Sequence, residues 1–106
     1  MPKYLIEVTY THDGIKGVKD KGGTARAAVA AKLFEELGGK LEAFYFAFGG
    51  TDVFVIADLP DDVSAAAAAI TVSAGGGATT RTVSLLTPSE IDDAVSKYAT
   101  YSPPRA

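Results

Sequence analysis

Residues 3 to 10, KYLIEVTY, alternate apolar and polar positions and are rich in aromatic and β-branched side chains, which predicts a half-buried strand. THDG breaks that pattern. From about Gly14 to Leu37 apolar residues recur at Ile15, Val18, Ala25, Val29, Leu33 and Leu37, mostly at helical spacing. Gly22 and Gly23 interrupt this helix early, each at about 1 kcal/mol relative to Ala, so a kink or a frayed first turn is expected there. Gly38 and Gly39 end it as C-cap residues. KLEAFYFAF and TDVFVIADL then read as two strands joined at Gly49-Gly50, a hairpin signal. LPDDVSAAAAAITVSAGGG is a second helix, capped by Asp61 or Asp62 and stopped by its glycines. TTRTVSLL is a fourth strand. TPSEIDDAVSKYA closes the series as a short helix with Thr87 as N-cap, Pro88 at N1 and Glu90 completing a capping box.

The order β-α-β-β-α-β plus a terminal helix is the split βαβ, or ferredoxin-like, arrangement of the α+β class. Right-handed crossovers then give an antiparallel sheet of strand order 4-1-3-2 with both long helices on one face. One domain over residues 1–98 is expected, followed by a proline-rich, loose tail over 99–106.

The strands do not alternate cleanly. The second places Leu41, Ala43, Tyr45 and Ala47 on one side and Phe44, Phe46 and Phe48 on the other. The third sets Val53, Val55 and Ala57 against Phe54 and Ile56, and the first sets Tyr4, Ile6, Val8 and Tyr10 against Leu5, Glu7 and Thr9. Helices cover one face only, and the other is too apolar for a monomer's surface. Either the terminal helix folds over it, or two sheets pack face to face in a homodimer or higher homo-oligomer; the second is the expectation. The alanine run from Ala65 to Ala69 needs only a packing role, because small side chains bring a helix close to a sheet.

Bulk numbers narrow the function. The 106 residues suffice to bury roughly 65% of the unfolded surface without staples. The chain has no cysteine, which excludes disulfides, a thiolate nucleophile and Cys-based metal sites. The net charge is −3 and the basic residues are scattered, apart from Lys16, Lys19 and Lys21, which lack interleaved aromatics. Nucleic-acid binding is therefore not expected. MPKYLIEVTY has no uninterrupted apolar core of a signal peptide, and no later run is long enough to span a bilayer, so a cytoplasmic protein without membrane partners is expected.

The predicted topology collects chemistry at one sheet edge: His12, Asp52, Lys16 and Arg81, with Tyr10 and Tyr45 lower in the sheet and Thr51 beside Asp52. On adjacent antiparallel strands, His12 and Asp52 are expected within direct or water-bridged reach. A carboxylate that fixes the tautomer of a His makes it a usable general base near neutral pH. The plainer roles are a solvated His in a loop and an Asp that accepts N–H groups of its own glycine turn. A single His with no helical His spacing gives no metal site, and neither GGTAR nor AGGGATT has the ending or setting of a phosphate loop.

The stretches TYTHDGIKGVKD, LGGKLEAFYFAFGGTDVFVIADLPDD and TVSLLTPSEI, with Arg26 ahead of an alanine-rich helix, resemble the GYD domain family over roughly residues 3 to 96. The family's naming motif is Gly-x-Tyr-Asp; here Gly49-Gly50-Thr51-Asp52 keeps the Gly and the Asp and replaces the Tyr by Thr51. Arg26 matches a recurrent Arg of the family, but the helical reading places it mid-helix, away from the site edge, as a structural residue. The resemblance implies a fold of the dimeric α/β-barrel group and a dimer, without an assigned activity. Relatives in that wider group include cofactor-free monooxygenases, muconolactone-isomerase-like enzymes and haem-dependent enzymes, and fold does not transfer function among them. Haem would have to take His12 as its imidazole, so no cofactor is expected.

Two functions follow as expectations. The first is a homo-oligomeric small-molecule-binding or assembly module, with Tyr10, Lys16, Tyr45, Thr51 and Arg81 towards a small apolar or aromatic ligand. The alternative is a cofactor-free isomerase- or monooxygenase-like enzyme with a pocket between sheet and helices and His12 and Asp52 as acid/base pair.

Overall fold

Tyr4, Ile6, Val53, Val55 and Ala57 are all buried, and their period of two sets the inner face of a sheet under helices. The computed structural model describes residues 1–104. Its elements are β1 (Lys3–Tyr10), α1 (His12–Lys21), α2 (Gly23–Glu36), β2 (Lys40–Phe46), β3 (Val53–Asp58), α3 (Asp62–Ala74), β4 (Ala78–Leu85) and α4 (Pro88–Ser96). The fold is α+β, with a four-stranded antiparallel sheet. The strand order is β2-β3-β1-β4, which counted from the opposite edge is 4-1-3-2. Of the tail, 99–104 has no regular secondary structure, and 105–106 lie outside the described residues.

The core joins those inner-face side chains to Phe34 of α2, Leu59, and Ala65 and Ala68 of α3. α2 packs on β2 and α3 on β4, so the two helices sit over opposite halves of the sheet. The alanines of α3 bring it close to β4, as small side chains allow. Asp61 caps α3, its carboxylate accepting the Ser64 N–H at 2.8 Å.

Three local features depart from the periodic reading. The expected single first helix is two, because Gly22 adopts φ +84 and serves both as C-cap of α1 and N-cap of α2. That left-handed conformation is cheap only for glycine. The connection between β2 and β3 is a six-residue loop, 47–52, closed by the Ala47 N–H donating to the Asp52 carbonyl at 2.8 Å. Finally, β2 carries a bulge between Leu41 and Ala43. The extra residue turns Leu41 to the core face beside Phe44 and Phe46, whereas simple alternation had put it with Ala43 and Tyr45.

The outer face of the sheet stays uncovered. α4 has the expected start: Thr87 accepts the Glu90 N–H at 3.1 Å, and Glu90 accepts the Thr87 N–H at 2.9 Å. Every residue from Pro88 to Ser96 is nevertheless exposed, so α4 does not fold over the sheet. In keeping with a helix standing off the body, the radius of gyration is 16.9 Å, against about 13 Å for a compact chain of this length. No helix among the described residues is long and apolar enough to cross a membrane.

Candidate functional site

The separation of α2 from α3 leaves a slot over the middle of the sheet. Ile6, Val8, Val55 and Ala78 floor it, and Ala30, Leu33, Phe34, Ala68, Ala69 and Val72 wall it. The inner cavity is about 80 Å³. It meets an outer vestibule of about 380 Å³ whose wall includes Asp13, Gly17, Lys21 and Thr71, and the two share Tyr10, Arg26, Val72 and Ala78. The vestibule falls within the range of about 300–1,000 Å³ usual for small-molecule pockets.

Local sequence explains the slot. Arg26, Ala30 and Leu33 follow at spacings of four and three, so they share one face of α2. On α3, Ala65, Ala68, Ala69 and Val72 do the same with mostly small side chains, which leaves room where larger ones would close the gap. Thr11 and the glycines after α3 fix the vestibule's far side: the Thr11 N–H donates to the Gly77 carbonyl at 2.9 Å, and its hydroxyl donates to Gly76 O at 2.9 Å. The chains approach so closely here that a Cβ on Gly14 would lie 1.8 Å from the Gly77 carbonyl oxygen. Only glycine fits at position 14.

The residues expected at one site fall into separate places. Tyr10 alone lines the slot. Asp52 stands at the end of β1, where its Oδ2 accepts the Tyr10 N–H at 2.8 Å while its own N–H donates to the Val8 carbonyl at 2.9 Å. It therefore serves the strand beside it rather than the glycine turn. His12 is not in a loop: it is the first residue of α1, exposed, and forms neither a hydrogen bond nor an ion pair with Asp52. Lys16 is exposed on α1.

Tyr45, Thr51 and Arg81 belong to the outer side of the sheet. Tyr45 is opposite Phe54, and Arg81 is opposite Glu7. The Thr51 hydroxyl donates to Glu7 Oε1 at 3.3 Å, and Arg81 Nε lies 3.9 Å from Glu7 Oε2. With Arg81 largely in water, that last pair is weak. Leu5, Phe54, Ile56, Val83 and Leu85 make up the apolar remainder of this face. Lys3 bridges its far end, donating to Asp58 at 2.9 Å and Glu42 at 3.0 Å; these two hydrogen bonds raise its pKa.

Arg26 and Glu7 are the residues that sequence reasoning misplaced or passed over. With the helix broken at Gly22, Arg26 stands in the first turn of α2 and faces the slot. It makes no ion pair; those among the described residues are Lys3 with Glu42 and Asp58, and Arg81 with Glu7. The glycine pair was the available signal, because a full break moves Arg26 from mid-helix to a helix start. Its place on the stripe of Ala30 and Leu33 also pointed inward.

A further groove of about 380 Å³ lies between α1 and the end of β2, lined by Ile15, Val18, Gly23, Phe46, Phe48 and Asp52 among others. Its surface is nearly all apolar, and His12 is not part of it.

The family model of the GYD domain covers residues 4–95, from the start of β1 almost to the end of α4. No curated protein and no solved structure matches the chain.

Proposed function

The chain belongs to the GYD domain family, and from that premise we propose that it is a homo-oligomeric small-molecule-binding domain. The slot between α2 and α3 carries this reading. It is apolar within, opens to a vestibule that carries Asp13, Lys21 and Thr71, and is bordered by the Arg26 guanidinium, which forms no ion pair among the described residues. Such a combination of apolar walls with few polar groups is the usual form of a ligand site.

The outer sheet face supports the oligomer. Tyr45 and Phe54 are 71% and 39% exposed, and Leu5, Ile56, Val83 and Leu85 extend the patch across neighbouring strands. A second copy packed sheet to sheet covers these groups, and a stable pair needs about 1,200 Å² of buried surface in total. A cofactor-free isomerase- or monooxygenase-like enzyme with His12 and Asp52 as acid/base pair is the weaker reading. The Asp52 carboxylate is engaged by the Tyr10 N–H, and His12 borders neither the slot nor the groove that Asp52 lines.

Native mass spectrometry of the purified protein tests both parts of the proposal. The expected spectrum is a dimer or higher homo-oligomer carrying a small molecule, and Ala69→Leu, which fills the slot, removes the added mass while leaving the assembly. A monomer at micromolar concentration overturns the oligomer. Added mass that persists unchanged in Ala69→Leu overturns the slot as the binding site.

A further inference from the structure

The charge pattern of the slot selects among small molecules, and the inference drawn from it rests on the binding reading above. No acidic side chain lines the inner cavity, whose one ionic group is Arg26. In the vestibule Lys21 and Asp13 carry opposite charges, so the guanidinium is the uncompensated charge of the whole site. Arg26 is half-buried and has no ion pair among the described residues, a costly position for a cation next to apolar walls. Tyr10 and Arg26 both stand where the inner cavity meets the vestibule.

We propose that the slot takes a compact apolar carboxylic acid, its short tail among Val8, Ala69 and Val72 and its carboxylate on Arg26. A guanidinium presents parallel N–H donors that match the two oxygens of a carboxylate, and the pair is stronger at an apolar edge than in open water. The inner volume of about 80 Å³ limits the buried portion to a short branched chain, with the head held at the junction. Tyr10, at the same junction, brings a phenolic hydroxyl able to donate to the same head group. An amine of the same shape meets Arg26 as a like charge and is rejected.

Isovalerate, isovaleramide and isopentylamine share one branched tail and differ in the head, so they separate the charge from the slot. The protein is titrated with each by NMR, following Tyr10, Ala69 and Val72. The expected result is that isovalerate shifts these signals with about tenfold higher affinity than isovaleramide, and isopentylamine does not bind. Arg26→Gln brings isovalerate down to the amide's affinity, and Arg26→Lys retains part of the preference. An amide that binds as well as the acid, or an acid affinity unchanged in Arg26→Gln, overturns the carboxylate inference and leaves the binding reading standing. If none of the three shifts the slot residues, the carboxylate inference falls, and the binding reading is judged by the native mass spectrum. The comparison of the three ligands on the unaltered chain needs no variant, so the inference stays open to refutation even if Arg26→Gln does not fold.

Discussion

The carboxylate of Asp52 accepts the backbone N–H of Tyr10 at 2.8 Å, a bond between the residue just before β3 and the last residue of β1. The β1–β3 ladder ends at Val8 and Val53. Two residues further along β1, β3 has no ladder residue to offer Tyr10, and the Asp52 side chain supplies the acceptor instead. An acid follows the glycine loop because a strand needs an acceptor where its neighbour stops.

Removing that acceptor has a defined consequence. Asp52→Ala leaves the Tyr10 N–H unpaired and is expected to cost about 1–3 kcal/mol, measured by urea unfolding. Asp52→Asn keeps a side-chain carbonyl and is expected to cost under about 1 kcal/mol. Amide exchange resolves the mechanism: protection of the Tyr10 N–H falls in Asp52→Ala and largely survives in Asp52→Asn. Equal losses in the two variants would show that the charge, rather than the acceptor, matters.

Apart from the division of the first helix at Gly22, the element order, the strand order and the caps of α3 and α4 were legible in the sequence because each rests on a short-range pattern. Thr87, Pro88 and Glu90 specify the start of α4 within four residues, and alternation assigns β1 and β3 residue by residue. Two features were not legible. The bulge in β2 is a property of its pairing with β3, so it leaves no trace in the alternation that misplaces Leu41. The slot depends on the distance between α2 and α3, which their sequences do not contain separately. The edge that gathered His12, Asp52 and Arg81 was a correct reading of strand direction but blind to faces. Arg81 pairs with Glu7 on the outer face, whereas Tyr10 points under the helices.

Two phenylalanines now test the two faces independently. Phe54 is on the outer face, opposite Glu7 and Tyr45. Phe54→Asp is expected to dissociate the homo-oligomer while the far-ultraviolet circular dichroism stays unchanged, with sedimentation equilibrium as the measurement. Phe46 is on the helix side, edge-to-face with Phe44 at 5.4 Å, and its ring bears on Gly23. Phe46→Asp is expected to lower stability by about 2 kcal/mol without specifically loosening the assembly. The reverse pattern would mean that the outer face is solvent-facing.

α4 is held by its own cap and little else, because all its residues are exposed. Thr87→Ala should cost this helix about 1 kcal/mol, enough to melt much of a short, unpacked helix. The urea midpoint of the rest of the domain is expected to stay unchanged, while amide exchange from Ile91 to Ser96 accelerates. Acid should do the same. Glu90 has its pKa lowered by its hydrogen bond from the Thr87 backbone, so its contribution is present above the ordinary carboxylate range and lost as pH falls through the depressed value. A drop in global stability with Thr87→Ala would show that α4 packs on a second copy.

The phenol of Tyr4 gives a pH dependence at the opposite extreme. Tyr4 is buried under α3, and its hydroxyl donates to Asp62 Oδ1 at 2.6 Å. That hydrogen bond first, then burial and the charges of Asp62 and Asp61, push its pKa up to about 12. The folded state thus favours the neutral phenol more than the unfolded chain does, where a Tyr ionises near pH 10. Its stabilising contribution is complete below about pH 10 and is lost as pH rises through about 12. Ultraviolet titration of tyrosinate should therefore show one late step near pH 12, accompanied by falling stability between those limits. Tyr4→Phe should abolish the late step and flatten the loss of stability over that window. A late step that persists in Tyr4→Phe would assign the perturbed phenol to another tyrosine and remove the Tyr4–Asp62 bond as its cause.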